Sequence, residues 1–305
     1  MTERPATSDL GLLIVAVLSI ASAAILTRWV DVPVLALTFW RTLGGAVLLA
    51  PAAKQSALQP TPRQWWLLFA AGLTLALHFV TWLASVDRTT IAASVSLAAT
   101  APIFVALWAS FGASRFFNRS AANRPDSATW LGIALAFVGA VVITGGDLAL
   151  GSGQLVGNLL AVAGAVFIAC HLLIGERLRE TLPTAAYTAP MYGIAAALVL
   201  LAALVSDTPL TGFDRRGWLA IVLMIIGPQM GGHTVLNALL PRLGSITVSL
   251  ALLTEPIGAG LMAWLFFEEE PTAAAWIGGA LIIGGLAYRL RSPADRVRIF
   301  RKLDG

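Results

Sequence analysis

The chain has one cysteine, three histidines and few charged residues, which make up 12% of its 305 residues. A single cysteine, Cys170, cannot form a disulfide within the chain, and no Cys or His spacing matches a metal site. No GxxxxGK[ST] motif is present to cradle a phosphate, and no Ser, His and Asp stand together on a loop. These absences argue against a disulfide scaffold, an ATP-driven pump and a catalytic triad, so we expect no enzyme and no cofactor.

Apolar residues are abundant instead. They make up 58% of the chain, and the mean hydropathy is +0.82. Soluble domains are about half apolar and about a quarter charged, so the composition predicts an all-α, polytopic membrane protein. Ten stretches approach the ~20 residues that a bilayer-spanning helix needs. Their predicted bounds are 11–29, 34–53, 65–86, 90–112, 128–146, 154–175, 185–206, 217–239, 245–267 and 273–290.

The distribution of Lys and Arg predicts the orientation. With the N-terminus in the cytoplasm, the inner segments hold fifteen Lys and Arg, and the outer segments hold four, Arg28, Arg88, Arg215 and Arg216. The positive-inside rule therefore predicts a multi-pass protein of the cell (inner) membrane with both termini cytoplasmic. The isoelectric point of 9.8 follows from this bias and requires no nucleic-acid partner. We expect the lipid bilayer as partner and a monomer or weak homodimer.

Three sequence matches relate the two halves of the chain. "WLGIALAFVG" (130–139) and "WIGGALIIGG" (276–285) share five residues at an offset of 146. "TAPI", which begins at Thr100, matches "TEPI", which begins at Thr254, at an offset of 154. His78 and His233 correspond at an offset of 155, in the same order along the chain. The matches predict an internal repeat.

Each predicted repeat has five spans, an odd number, so the two repeats must cross the membrane in opposite senses. Inverted repeats are typical of secondary transporters, whose substrate site lies between the halves near the bilayer midplane. We predict one five-helix repeat over 1–150, a second over 151–290 and a basic cytoplasmic tail over 291–305.

Ten spans in two sets of five, short connections and a Ser/Thr-rich helix with a central Thr-x-Pro followed by an apolar run together resemble a known family. They are similar to the EamA-type members of the drug/metabolite transporter superfamily over about residues 10–290. Within the superfamily the pattern looks most like the YddG-type aromatic amino acid exporters. The resemblance implies a transporter whose substrates are aromatic and other neutral amino acids.

Arg41 and Glu255 are charged residues well inside predicted spans, where a charge costs at least about 2.5 kcal/mol. Arg41 offers a forked donor that matches a carboxylate. Alternatively, it caps carbonyls or forms a structural pair with Glu255, and an Arg near this position is common in the resembled family. Glu255 could attract an ammonium group or exchange a proton during transport. The alternative for Glu255 is a protonated, hydrogen-bonded core acid.

Two polar stripes occupy matching spans. Thr74, His78 and Trp82 are spaced by four in the third span, and so are Gln229, His233 and Asn237 in the eighth. Residues at this spacing share one helix face. Such stripes face a bundle interior or a wet cavity rather than lipid. We predict that they line opposite walls of one cavity, although each histidine could also serve only an interhelical bond.

Aromatic residues and prolines complete the predicted site. Trp40 and Trp82 adjoin polar positions, so they could stack on a flat substrate or cover its ammonium group, although packing alone would also explain them. Pro102, Pro228 and Pro256 interrupt spans, and each removes a backbone donor, which is typical of hinges and cavity walls.

The preferred function is therefore a secondary transporter that exports small amphipathic metabolites, above all aromatic and other neutral amino acids, by alternating access. Its predicted substrate-binding residues are Trp40, Arg41, His78, Trp82, Gln229, His233, Asn237 and Glu255. Two alternatives stay open: proton-coupled efflux of drugs or organic cations, and a non-transport membrane enzyme or scaffold.

Overall fold

The computed structural model describes residues 7–111, 125–145, 152–268 and 270–291. These ranges contain helices and no strand. The predicted tail lies outside them, apart from its first residue. In chain order the helices are α1 (Thr7–Trp29), α2 (Val34–Lys54), α3 (Pro62–Val86), α4 (Ile91–Ala98), α5 (Ala101–Phe111), α6 (Ser127–Gly145), α7 (Ser152–Arg179), α8 (Thr184–Val205), α9 (Arg215–Met224), the π segment (Ile225–Thr234), α10 (Val235–Leu252), α11 (Glu255–Phe267) and α12 (Ala273–Arg291).

Polar residues in the loops fix where several helices begin. Thr61 and Gln64 form a reciprocal capping box at the start of α3. The side chain of Thr90 accepts from the backbone of Ala93 at the start of α4, and Asp214 accepts from Gly217 at the start of α9. Each cap satisfies a backbone N–H that has no partner within its helix.

Seven helical stretches of the described chain are long and apolar enough to cross a membrane, and three apolar helices are shorter. This confirms the class of an all-helical, multi-pass membrane protein; the number of ten crossings stays a prediction. The seven are Ser8–Trp29, Val34–Lys54, Pro62–Val86, Ala93–Ser110, Gln154–Arg179, Thr184–Val205 and Arg215–Leu252, and the three are Ser127–Val142, Glu255–Phe267 and Ala273–Gly285.

Two predicted spans, 90–112 and 245–267, are each broken into two helices. The first break separates α4, which ends at Ala98, from α5, which begins at Ala101 with the sequence "APIF". The second separates α10, which ends at Leu252, from α11, which begins at Glu255 with the sequence "EPIG". Pro102 has no N–H for the carbonyl of Ala98, and Pro256 has none for that of Leu252. The helices end at these two residues, four positions before each proline.

The two breaks share the same hydrogen bonds at an offset of 154. The Thr100 amide donates to the Leu97 carbonyl, as the Thr254 amide does to Ala251. The Thr100 hydroxyl donates to the same Leu97 carbonyl at 2.7 Å, and that of Thr254 to Ala251 at 2.8 Å. The sequence match is thus also a match of local structure.

The boundary between the predicted spans 217–239 and 245–267 falls at Gly244. Its dihedral angles are φ 77° and ψ 159°, a conformation essentially limited to glycine, so the chain turns there within α10. A glutamate fixes the turn, since Glu176 accepts from the amide of Ser245 at 3.2 Å. Within the predicted span 217–239, the segment Ile225–Thr234 is π-helical and contains Pro228, which the hydropathy of the span did not predict.

Helices α6 and α12 touch backbone to backbone. A Cβ added to Gly139 would lie 2.5 Å from the Gly278 carbonyl oxygen, and a Cβ on Gly285 would lie 2.6 Å from that of Gly132. Gly132 corresponds to Gly278 at the repeat offset of 146, and Gly139 corresponds to Gly285, so the contact is reciprocal, as in a two-fold interface. The order of the pairs along the two helices makes them antiparallel.

The polar stripes turn inward because of how the remaining helices pack. Helix α3 lies against α7, α2 lies against α8, and α1 packs along the π segment. Gly232 permits the last contact, because a Cβ there would meet the Ile20 side chain at 2.5 Å. A polar centre is therefore enclosed by α2, α3, α8, the π segment and α10.

Candidate functional site

Arg41 occupies the centre of the bundle. It lies in the second turn of α2 and is fully buried. Its Nε donates to Oε1 of Gln229 at 3.0 Å, and its guanidinium carbon lies 3.8 Å from the centroid of the Phe79 ring. Both contacts use neutral partners, so the charge of the guanidinium is not balanced by either of them.

The π segment fixes Gln229 in front of Arg41. The hydroxyl of Thr234 donates to the Gln229 carbonyl five residues earlier, at 3.0 Å, a spacing that fits the wider π turn. Tyr192 of α8 bonds to the same hydroxyl, also at 3.0 Å. Gly45 lets α2 approach, since a Cβ there would meet Tyr192 at 2.9 Å and Gln229 at 3.0 Å.

The two histidines of the stripes lie beside each other. The ring centroids of His78 and His233 are 6.2 Å apart, and Phe79 contacts His233 edge-on at 4.8 Å. Nδ1 of His78 donates to the Gly164 carbonyl at 2.9 Å, which in a neutral ring leaves Nε2 as an acceptor. Trp82 stacks parallel to His78 with centroids 6.1 Å apart.

Asn237 extends the polar centre along α10. Its Nδ2 donates to the His233 carbonyl at 2.9 Å. Its own backbone carbonyl accepts from Nε of Arg179 at 3.0 Å, and Arg179 also donates to the Thr184 hydroxyl at 2.8 Å. The stripe is thereby tied to the end of α7.

Glu255 begins α11 and is 7% exposed, so it does not face lipid. It interacts electrostatically with Arg41. Of the described residues, however, these two form no ion pair within 4.0 Å. The structural ion pair between Arg41 and Glu255, one of the open alternatives, is therefore not formed between these two described residues. The side chain of Arg41 bonds to Gln229 instead.

Several buried polar atoms at this centre have no hydrogen-bond partner among the described residues. The donors are Nη1 and Nη2 of Arg41, Nε2 of Gln229 and Nε1 of Trp82, and the acceptor is Oδ1 of Asn237. Buried polar groups are normally paired, and a lost bond to a charged group is worth about 1.5–3 kcal/mol. The excess of donors around a guanidinium fits an anionic ligand with several acceptor oxygens, such as a carboxylate.

The structure brings seven of the eight predicted binding residues to this centre, and the eighth, Trp40, lies apart from them. Its Nε1 donates to the Leu210 carbonyl at 2.7 Å, and its ring packs against Trp218 with centroids 5.3 Å apart. Two of the predicted hinges, Pro102 and Pro256, are second residues of α5 and α11, and Pro228 lies inside the π segment.

Three residues near the centre or its ends were not singled out from the sequence. Thr234 stands in no polar stripe of spacing four, whereas Tyr192 ends such a stripe with Thr184 and Thr188, a signal that could have found it. Asp9 falls outside the predicted first span, but α1 begins four residues before that span and includes it. Asp9 pairs with Arg242 at 2.5 Å, which joins α1 to α10.

The His, Cys, Asp and Glu side chains that could bind a metal ion do not cluster in the part of the chain that the structure describes. It contains no group of three or more His, Cys, Asp and Glu side chains able to hold an ion. His171, for example, donates its Nδ1 to the Ala71 carbonyl at 3.2 Å and so joins α7 to α3.

Comparisons with known proteins agree with a transporter fold. A family model described as the EamA-like transporter family matches residues 8–145 and again 155–290. The chain is 24% identical over 270 residues to the "Uncharacterized transporter YwfM" of Bacillus subtilis (strain 168), covering 82% of each protein. A solved structure described only as "Crystal structure of protein" superposes with a TM-score of 0.73 at 22% identity, over 93% of this chain and 97% of that one. At that identity the superposition supports the fold alone.

Proposed function

The chain belongs to the EamA-like transporter family, and from this membership we propose that it is a secondary transporter that exports aromatic and other neutral amino acids by alternating access. The family and the membrane class are established by sequence; the substrate and the mechanism are our proposal. The single observation that carries it is the buried guanidinium of Arg41, whose two Nη atoms have no partner and which interacts electrostatically with the buried carboxylate of Glu255 without forming an ion pair.

A zwitterion would supply a partner for each of these two charges. Its carboxylate would accept from the two Nη atoms of Arg41 and from Nε2 of Gln229, which are unpaired donors of the centre. Its ammonium group would lie toward Glu255, which is not in contact with Arg41. A buried charge is costly unless paired, so a ligand with one group of each sign would stabilise both residues.

Flat rings beside Arg41 favour a substrate with an aromatic or other apolar side chain. Phe79, Trp82, His78 and His233 form the nearest wall. Rings pack edge-on or offset-stacked against other rings, which adds about 0.5–1.5 kcal/mol to simple burial. Trp40, whose ring packs on Trp218, stays a candidate for the outer part of the pathway only.

Alternating access would use two inverted five-helix repeats as moving units. Three observations support this: the family model matches twice, the two helix breaks share their hydrogen bonds, and α6 and α12 make a reciprocal glycine contact. Pro102, Pro228 and Pro256 would act as hinges, since Pro102 and Pro256 follow the two helix breaks and Pro228 lies in the π segment. We propose ten crossings, both termini in the cytoplasm and a location in the cell (inner) membrane, as the Lys and Arg bias predicts.

The test is a counterflow assay in proteoliposomes with a panel of amino acids, organic cations and dipeptides, with and without a pH gradient. We expect exchange of phenylalanine, tryptophan and large neutral amino acids, and loss of exchange in Arg41→Ala protein that still elutes as a single folded species. Exchange of organic cations that depends on the pH gradient, without amino acid exchange, would favour drug efflux instead. Wild-type protein that exchanges no member of the panel would overturn the transport proposal.

A further inference from the structure

A groove of about 470 Å³ opens on the side of the bundle between α2 and α8, and none of the residues that line it belongs to the central site. Its floor is made of small residues, Ala46 and Ala50 of α2 and Ala186 and Ala189 of α8. The groove lies at the ends of these helices where the chain leaves α2 at Lys54 and enters α8 at Thr184. This is the end of the bundle to which the Lys and Arg bias assigns the cytoplasm.

The rim of the groove is polar and carries one charge. Lys54 is exposed there, and Gln59 and Trp65 lie beside it. Among the described residues that line the groove there is no Asp or Glu, so its charge is positive. An exposed tryptophan at a helix end is typical of the headgroup level of a bilayer, where Lys side chains also attract anionic lipids.

Two prolines add backbone acceptors to the same surface. Pro51 of α2 has no N–H for the carbonyl of Val47, and Pro190 of α8 has none for that of Ala186. Val47 and Ala186 both line the groove. A carbonyl without its helical donor at membrane depth favours a partner that donates a hydrogen bond.

From these features we propose that the groove binds the headgroup and glycerol region of an anionic phospholipid of the phosphatidylglycerol type. The phosphate pairs with Lys54, the headgroup hydroxyls donate toward the carbonyls of Val47 and Ala186, and an acyl chain covers the alanine floor. The anionic charge matches the single basic side chain, and the hydroxyls supply donors that phosphatidylcholine lacks.

The bound lipid would lie close to the central site. Ala46 of the floor follows Gly45, at which α2 approaches Tyr192 and Gln229. Because α2 approaches Tyr192 of α8 at Gly45, a lipid between α2 and α8 stabilises the helix pair next to Gln229, which accepts from Arg41. This inference does not depend on the identity of the transported substrate.

The test compares lipid retention by native mass spectrometry of full-length protein in detergent with added phosphatidylglycerol, phosphatidylethanolamine or phosphatidylcholine. We expect phosphatidylglycerol to be retained over the other two by about fivefold, the factor that one basic residue near a membrane surface contributes. Lys54→Gln should remove this preference, and Ala50→Phe should remove binding by filling the groove at a half-buried position. The matched control is Arg63→Gln, because Arg63 is exposed in the first turn of α3 and does not line the groove.

Several results would overturn the proposal. One is wild-type protein with no preference for phosphatidylglycerol, and another is an equal loss in the Arg63→Gln control, which would indicate a general surface-charge effect. Glycerol 1-phosphate that competes as well as the lipid would point to a soluble phosphate site. Displacement of the lipid by phenylalanine would show that the groove belongs to the substrate path.

Discussion

A Cβ on Gly139 would lie 2.5 Å from the carbonyl oxygen of Gly278, so α6 and α12 are in backbone contact at this pair. The equivalent pair, Gly285 and Gly132, repeats the contact with the helices exchanged. Close approach of this kind is the way small residues hold membrane helices together, because lipid offers no hydrophobic driving force between helices.

We predict that Gly139→Ala and Gly285→Ala each lower the melting temperature of the protein in detergent. Each added methyl would meet backbone atoms of the neighbouring helix, which must shift, at a cost of about 1–3 kcal/mol. Gly284→Ala is the control, since a Cβ there has no atom within 4 Å. Equal melting temperatures for Gly285→Ala and Gly284→Ala would show that the contact is not close.

The turn at Gly244 gives a second prediction. Its φ of 77° and ψ of 159° strain any residue with a Cβ, so Gly244→Ala should destabilise the protein by about 1–3 kcal/mol. Gly260→Ala is the control, because Gly260 has no positive φ and has open space around it. Thermal unfolding followed by circular dichroism measures both. If Gly244→Ala unfolds at the temperature of the control, α10 is not divided at this residue.

The helix breaks give a kinetic prediction. Pro256→Ala restores an N–H for the carbonyl of Leu252 and favours a continuous helix over the break. If the break acts as a hinge, exchange of phenylalanine slows by about fivefold, as ~1 kcal/mol on the barrier requires, while equilibrium binding is unchanged. Pro271→Ala, in the loop before α12, is the control. An unchanged exchange rate in Pro256→Ala would contradict the hinge.

The shape of Arg41 gives a fourth prediction. Arg41→Lys keeps the charge but loses the fork and the bond from Nε to Gln229, so binding of phenylalanine should weaken about ten- to a hundredfold. Arg63→Lys, an exposed substitution of the same kind, should bind as the wild type does. Binding is measured with radiolabelled phenylalanine on purified protein. Wild-type affinity in the Arg41→Lys variant would mean that the guanidinium does not hold the carboxylate.

The sequence predicted the all-helical membrane class because hydropathy and helix spacing are local signals; the orientation given by the Lys and Arg bias stays a prediction. The stripes of His78 and His233 were expected to line opposite walls of one cavity; the two rings lie 6.2 Å apart, and the cavity itself stays a prediction. The TAPI and TEPI segments were expected to interrupt their helices, and they do so at matching positions.

Other parts could not be predicted because they depend on long-range packing. Pairing of Arg41 with Gln229 rather than Glu255 depends on the π segment, which turns Gln229 toward α2 and has no signature in residue spacing. Trp40 was grouped with the site because it adjoins Arg41, but neighbours in a helix point in different directions, and its ring packs on Trp218. Asp9 was missed because a polar residue before an apolar run gives no indication of a distant partner such as Arg242.

The most direct measurement is competition for bound radiolabelled phenylalanine by 3-phenylpropionate, which lacks the amine, and by phenethylamine, which lacks the carboxylate. The wild type should prefer phenylalanine to each analogue by at least about tenfold, the value of one charge-assisted bond. Glu255→Gln should lose the preference over 3-phenylpropionate, and Arg41→Lys should weaken the preference over phenethylamine. If both variants keep the wild-type preferences, Arg41 and Glu255 do not hold the two ends of a zwitterion.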